Sequence, residues 1–195
     1  YAHEQGIIHR DVKPANILLP REDWPLLADF GLVKLQQAHR DLTQAGMVLG
    51  TPDYTSPEQA LGEAVDHRAD IYALGVVLFE MVTGQRPFRG EKAFDVLLMH
   101  INDPPTNPRE LAPDIPDIVE DIIQKSLAKS PDERYADMQN LIASLETARE
   151  ILQTPVSLTS RDDADDTIHR TTVQIDSVQS SLKGPRLVVV ATGSL

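Results

Sequence analysis

The chain contains no cysteine at any of its 195 positions. Disulfides and cysteine-based zinc sites are therefore excluded, and a reducing cytosolic compartment is the natural setting for such a chain. Basic residues are also scarce, because 18 Lys and Arg stand against 30 Asp and Glu and give a net charge of −12. Since nucleic-acid binding depends on clustered Lys and Arg, nucleic acid is excluded as the main partner.

The N-terminus also lacks familiar features. Residues 1–6 have neither the basic start nor the following apolar run of a signal peptide, and the first residue is not Met. We therefore expect that the sequence begins within a longer protein. With 41% hydrophobic and 25% charged residues, the composition is typical of one globular domain with a tail.

Apolar residues follow two different spacings along the chain. In the first third they form short runs broken by Pro, Gly and Asp, which predicts short strands and loops rather than helices. From Asp66 onward they recur at helical spacing and predict a buried central helix over 70–82, ended at Gly84. Ser130 and Pro131 are typical of a helix start. The strands are expected at 17–19, 26–28 and 47–49, and further helices at 91–101, 115–128 and 137–152.

The last part of the chain has a different composition. Residues 153–186 are rich in Ser, Thr and Asp, which predicts a disordered linker. Residues 187–195 are apolar and follow Lys183 and Arg186, but nine residues are too few for a bilayer, which requires about 20. Two interpretations of this segment stay open. It is the start of a truncated membrane helix with the two basic residues on the cytoplasmic side, or it is a mildly apolar disordered end.

Three short motifs carry the chemistry. The first is His9-Arg10-Asp11-Val12-Lys13-Pro14-Ala15-Asn16, the second is Asp29-Phe30-Gly31, and the third runs from Gly50 to Glu58 as Gly-Thr-Pro-Asp-Tyr-Thr-Ser-Pro-Glu. In this order they resemble the catalytic loop, the magnesium-binding turn and the end of the activation segment of serine/threonine protein kinases. The resemblance covers about residues 1–150, and the run from Ser56 to Ala60 is similar to that of bacterial receptor-like members.

The resemblance implies a fold and a domain organisation. The fold is α+β and mainly α, the large helical C-terminal lobe of a protein kinase over residues 1–152, with short antiparallel strands around Ile17 and Leu26. The chain has no G-x-G-x-x-G motif and no strand Lys of the V-A-I-K kind, which mark the small N-terminal lobe. We therefore expect a fragment that lacks that lobe and does not catalyse turnover by itself.

The resemblance also implies roles for the residues of the catalytic loop. Asp11 orients the substrate hydroxyl towards the γ-phosphate of ATP, and Lys13 places a positive charge beside the transferring group. Thr51 bridges Asp11 and Lys13 through its hydroxyl. Because Lys13-Pro14 is typical of serine/threonine kinases, and tyrosine kinases usually carry an Ala- and Arg-rich variant there, the expected substrates are Ser and Thr of proteins.

The same resemblance assigns the nucleotide and metal contacts. Asn16 and Asp29 are expected to supply oxygen ligands to Mg²⁺ or Mn²⁺, which bridges the phosphates of ATP. Lys13 contributes to nucleotide binding, and Leu18 lies beneath the adenine ring. A metal site built on the six histidines is disfavoured, since no pair has H-x-x-x-H or H-E-x-x-H spacing.

Regulatory and structural roles complete the set of expected site residues. Arg10, directly before Asp11, resembles the arginine of kinases that are activated by phosphorylation of the activation segment. Thr43 is the single hydroxyl residue between 32 and 49 and is the predicted phosphosite. The expected structural residues are His9 near Phe30, an ion pair between Glu58 and Arg134, and Asp70 bonded to the catalytic-loop backbone.

Other functions stay open at this stage. A binding module without catalysis, either a pseudokinase or a regulatory half-domain, would explain the missing lobe, although Asp11, Lys13, Asn16 and Asp29 are all present. A small-molecule phosphotransferase is disfavoured by the peptide-docking segment 50–58. The resemblance further implies a cytoplasmic kinase domain, dimerisation for autophosphorylation and an inner-membrane anchor in the full-length protein.

Overall fold

The computed structural model describes residues 1–21, 24–29 and 52–154. The predicted strand at 47–49, the residues Phe30, Thr43 and Thr51, and the segments after residue 154 lie outside these ranges.

Two short strands form the sheet that follows the first motif. Strand β1 (Ile17–Leu18) pairs with strand β2 (Leu26–Leu27) in antiparallel orientation, with Ile17 opposite Leu27. The amide of Ala28 donates to the carbonyl of Asn16 at 2.8 Å and extends the pairing by one step. The prediction of antiparallel strands is confirmed here, and the pairing places Asn16 beside the residue that precedes Asp29.

The remaining described residues are mostly helical. Three-residue 3-10 turns lie at His3–Gln5, Pro14–Asn16, Pro52–Tyr54 and Pro131–Glu133. In the described ranges, no helix is both long and apolar enough to cross a membrane. The α-helices of the described residues are α1 (Pro57–Leu61), α2 (Arg68–Thr83), α3 (Ala93–Asn102), α4 (Pro108–Leu111), α5 (Asp117–Ser126) and α6 (Met138–Gln153).

Helix α2 is the centre of the core, as its apolar spacing predicts. One side of it packs Ile71, Leu74 and Val77 against residues of α5 and α6, and its other side packs Tyr72, Val76 and Phe79 against α5 and Leu127. Because both sides are covered, the helix shows no single apolar stripe. Gly84 adopts φ 72° and ends the helix in the left-handed conformation that glycine accepts at little cost.

A glycine in α2 allows a close helix contact. A Cβ added at Gly75 would lie 2.6 Å from the Cβ of Ser126 at the end of α5, a distance that real side chains do not show. Because glycine has only a hydrogen atom as its side chain, α5 can approach the central helix directly. Helix α5 in turn packs against α6.

One helix start differs from the sequence-based expectation. Ser130 and Pro131 begin a 3-10 turn rather than an α-helix, and the Ser130 side chain makes no capping bond. Helix α6 is capped instead by Asp137, whose carboxylate accepts the backbone N–H of Asn140 at 2.8 Å. The helices α1 and α4 were not predicted, since one turn after a proline gives too few residues to show a helical period.

Candidate active site

The carboxylate of Asp11 is held by two side chains from its own loop. Lys13 Nζ lies 2.9 Å from Asp11 Oδ2, and Asn16 Nδ2 donates to the same oxygen at 3.1 Å. Asn16 Nδ2 also donates to the carbonyl oxygen of Asp11 at 2.8 Å. The 3-10 turn Pro14–Asn16 brings the chain back towards Asp11 and makes these contacts possible. The first motif thus forms one compact group of a base, a cation and an amide.

His9 connects this loop to the second motif. It is buried, its Nδ1 accepts the backbone N–H of Asp11 at 3.3 Å, and its Nε2 lies 3.0 Å from the carbonyl oxygen of Ala28. Because Nδ1 accepts, the hydrogen bonds assign the ring proton to Nε2, which donates to Ala28. The ring therefore fixes the distance between Asp11 and the chain just before Asp29.

Asp70 anchors the catalytic loop to the core helix α2. Its side chain is buried and accepts the backbone N–H of His9 at 2.8 Å and that of Arg10 at 2.7 Å. His3 Nε2 contacts Asp70 Oδ2 at 2.8 Å as a third partner. His3 was not assigned a role from the sequence, because nothing in the local pattern distinguishes it from a surface histidine.

Arg10 has an unusual backbone and an unpaired guanidinium nitrogen. Its φ is 64°, in the left-handed region that non-glycine residues rarely adopt. Its Nη1 is buried and has no hydrogen-bond partner among the described residues. An unpaired buried nitrogen of a cation is costly, so this atom is suited to an anionic group that reaches the loop.

Asp29 and Asn16 are the residues that could hold a metal ion. Asp29 is exposed and has φ 57°, a conformation that Asp tolerates better than most residues. Both donor contacts of Asn16 to Asp11 use its amide nitrogen and not its amide oxygen, and the backbone bond from Ala28 places Asn16 beside the residue that precedes Asp29. Within the described ranges, no group of three or more His, Asp or Glu could hold a metal alone. These two oxygen donors therefore fit Mg²⁺, which takes its other ligands from phosphates and water.

Leu18 offers an apolar surface beside this group. It follows Asn16 by two residues in β1 and is 51% exposed. An aromatic ring lying on β1 would cover it.

Glu58 and Arg134, for which the resemblance implies an ion pair, form a buried one in the structure. Arg134 Nη1 donates to Glu58 Oε1 at 2.9 Å and Nη2 to Oε2 at 2.8 Å. The other guanidinium N–H groups donate to the carbonyls of Arg68, Ala128 and Lys129, so every donor of the cation is used. Burial pushes the pKa of Glu58 upward, but the hydrogen bonds and charge of Arg134 outweigh it and hold that pKa below its ordinary value.

The turn before α1 is tied to the core by contacts that the sequence did not reveal. Tyr54 donates its hydroxyl to Glu80 of α2, and Asp53 pairs with Arg86. Burial raises the pKa of Asp53 despite the opposing charge of Arg86. Burial, followed by the bond to Glu80, likewise raises the pKa of Tyr54. These contacts fix the third motif against the same helix that anchors the catalytic loop through Asp70.

Comparison with known proteins gives one consistent family. The model of the protein kinase domain matches residues 1–156. The chain is 42% identical over 151 residues to the serine/threonine-protein kinase Pkn1 of Myxococcus xanthus, covering 75% of this chain and 22% of the relative. It is 46% identical over 134 residues to the DNA damage-responsive serine/threonine-protein kinase RqkA of Deinococcus radiodurans, covering 69% and 20%.

A third relative, the serine/threonine-protein kinase PknB of Mycolicibacterium smegmatis, is 41% identical over 146 residues, which cover 74% of this chain and 23% of the relative. The chain thus spans about a fifth of the length of the curated relatives that it matches, between 20% and 23% for these three. With the family model matching most of its length, the chain belongs to the protein kinase family.

Proposed function

We propose that this chain carries the catalytic residues of a serine/threonine protein kinase, which transfers the γ-phosphate of Mg-ATP to Ser or Thr hydroxyls of proteins. The observation that carries the proposal is the group formed by Asp11, Lys13 and Asn16, with hydrogen bonds of 2.9 and 3.1 Å to one carboxylate oxygen. Asp29 lies two residues after strand β2, next to Ala28, which is bonded to the backbone of Asn16. The family and the names of the relatives support the same reaction.

Each residue of this group has a chemical task in the proposed reaction. Asp11 accepts a hydrogen bond from the substrate hydroxyl and orients it in line with the phosphate. Lys13 holds the Asp11 carboxylate and adds positive charge where negative charge develops on the phosphoryl oxygens. Since Asp11 and Lys13 are each only about 20% exposed, this charge acts with less screening by water.

Asn16 and Asp29 would hold the Mg²⁺ ion, and Leu18 would lie against the adenine ring. When bound, the ion neutralises the charge of the β- and γ-phosphates. The chain itself supplies orientation: Asp11 fixes the Asn16 amide, and the left-handed conformation of Asp29 presents its carboxylate to solvent.

We propose further that residues 1–152 form the large helical lobe of the kinase domain. The single two-stranded sheet and the helices packed around α2 in the described residues support this assignment. In this arrangement α2 is the common support, because it holds the catalytic loop through Asp70 and the peptide-docking segment through Glu80.

Substituting Asp29 with Asn should raise the Mg²⁺ concentration needed for half-maximal activity at least tenfold, because an amide oxygen binds a hard cation more weakly than a carboxylate does. Activity measured against Mg²⁺ concentration in the full-length protein gives this value. Asp114→Asn, at an exposed position 85 residues further along the chain, is the matched control. An unchanged Mg²⁺ dependence of the Asp29 variant would contradict the metal assignment.

Thr43 is the proposed regulatory phosphosite, and Arg10 its proposed partner. The buried Nη1 of Arg10, which has no hydrogen-bond partner among the described residues, supports an anionic partner for this guanidinium. We propose that one copy of the protein phosphorylates Thr43 of another copy. An Asp11→Asn protein mixed with the wild type and Mg-ATP should gain phosphate on Thr43, detected by mass spectrometry, whereas a Thr43→Ala version of the same acceptor should not. Phosphate at other residues only would refute this assignment.

A further inference from the structure

The side-chain amide of Gln59 joins two parts of the site that are distant in sequence. Its Nε2 donates to the carbonyl oxygen of Arg10 at 3.0 Å. Its Oε1 accepts the backbone N–H of Ser56 at 3.2 Å and the Ser56 hydroxyl at 3.0 Å. Ser56 is the N-cap of α1, with which Gln59 forms a capping box. One end of the amide therefore stabilises α1, and the other end contacts the catalytic loop.

The contact at Arg10 falls on the strained residue of the loop. Arg10 has φ 64°, and its N–H donates to Asp70 Oδ1 at 2.7 Å. With Gln59 bonded to its carbonyl, both backbone polar groups of this residue are held, one from α2 and one from α1. A strained conformation persists only when the surroundings fix it in this way. The held carbonyl belongs to the peptide bond between Arg10 and Asp11, so its orientation determines how Asp11 enters the site.

Capping of α1 does not by itself explain the amide. A capping box works equally well with Glu or Gln at this position, because either side chain offers an oxygen to the N-cap N–H. Only Gln also offers an N–H donor to the Arg10 carbonyl, since a carboxylate would place a negative oxygen against the carbonyl oxygen. The donor half of the amide thus has a task that belongs to the catalytic loop.

We propose that Gln59 is a positioning residue for the phosphoryl transfer, which acts through the Arg10 carbonyl on the orientation of Asp11. This inference rests on the proposed kinase function. Because Gln59 neighbours Glu58 on α1, the same short helix links the buried ion pair to the catalytic loop. The position of α1 therefore affects the orientation of Asp11, the proposed base.

The substitution Gln59→Glu separates the two tasks, because it keeps the cap and removes the donor. In the full-length protein we expect kcat to fall at least about tenfold, as misplacement of a reacting group by about 1 Å costs on the order of 10²-fold. The KM for ATP should stay at the wild-type value, and the melting temperature should fall no further than in a variant that loses a helix cap elsewhere in the chain. The difference in kcat between Gln59→Glu and the wild type should become smaller as the pH is lowered, since the introduced carboxyl can donate to the Arg10 carbonyl once it is protonated.

Two control variants accompany this substitution. Asp137→Ala removes the cap of α6 and leaves every contact of Gln59 in place, so it should lower the melting temperature and leave kcat near the wild-type value. Gln139→Glu adds the same charge at an exposed position of α6 and should change neither quantity. A kcat of the Gln59 variant equal to that of the wild type, or a loss in step with its melting temperature, would overturn the proposal.

Hydrogen exchange of residues 7–18 tests whether Gln59 holds the catalytic loop in place, and it does so without a measurement of catalysis. Faster exchange of these amides in Gln59→Glu, with wild-type exchange in Asp137→Ala, is expected if Gln59 orders the loop. Equal exchange in all variants would refute it. If the wild type transfers no phosphate although the loop exchanges faster in Gln59→Glu, the kinase proposal fails, but Gln59 still orders the loop. If the wild type transfers phosphate and the loop exchanges equally in all variants, the role of Gln59 fails, but the kinase proposal stands.

Discussion

Replacing Asp11 with Asn is expected to lower kcat for phosphoryl transfer by about 10²- to 10⁴-fold, the usual contribution of a positioned general base. Asparagine has nearly the same shape but carries no charge, and it turns one acceptor oxygen into a donor group. In this site Lys13 and Asn16 both direct N–H groups at Asp11 Oδ2. A donor at that position would face two other donors and could not hold the substrate hydroxyl as the carboxylate does.

The binding of nucleotide should separate this effect from unfolding. Asp11 contacts the proposed metal ligand Asn16 only through the amide nitrogen, and asparagine at position 11 keeps the backbone carbonyl that accepts this nitrogen. The Kd for ATP and the melting temperature of the Asp11 variant should therefore stay close to the wild-type values. Asp114→Asn, at an exposed site, controls for the lost charge. An Asp11 variant that keeps its kcat would show that this carboxylate does not take part in the reaction.

Removal of the Arg134 side chain is expected to cost about 3–5 kcal/mol of the free energy of unfolding, because it leaves the Glu58 carboxylate buried without its cation. The side chain of Arg134 is 0% exposed and that of Glu58 5%, so water cannot replace the lost partner. Three backbone carbonyls also lose their donor. Denaturant unfolding of Arg134→Ala and of the wild type measures the difference.

Comparison of the single and double variants tests the origin of that loss. The double variant with Arg134→Met and Glu58→Met leaves no buried charge. Its loss in the free energy of unfolding should therefore be smaller than the sum of the losses in the two single Met variants. Losses that simply add would contradict a direct coupling of Glu58 with Arg134. The pH dependence has a definite sign: the folded-state pKa of Glu58 is lowered, so its contribution is complete above the ordinary Glu pKa and is lost as pH falls through the lower value.

The sequence predicted the elements that have a regular pattern. The spacing of Ile71, Leu74 and Val77 located the central helix, and Gly84 located its end, because burial and left-handed backbone leave direct traces in residue type. The antiparallel strands near Ile17 and Leu26 came from the resemblance and agree with the structure.

One-turn helices and long-range polar contacts are harder to predict from the sequence. Helix α1 did carry a signal, since Ser56, Pro57 and Gln59 have the spacing of a capping box with Pro at the first turn. The contacts of His3 with Asp70 and of Gln59 with Arg10 join residues 67 and 49 positions apart. No local pattern encodes such partners, because tertiary packing alone brings them together.

The most direct test of the account is transfer of labelled γ-phosphate from ATP to a generic basic protein by the full-length protein, followed by identification of the phosphorylated amino acids. The account predicts Mg²⁺-dependent label on Ser and Thr, none on Tyr, and loss of the label in the Asp11→Asn variant. Absence of label in the folded wild-type protein, or label that persists without Asp11, would contradict it and favour a binding module in which the site does no chemistry.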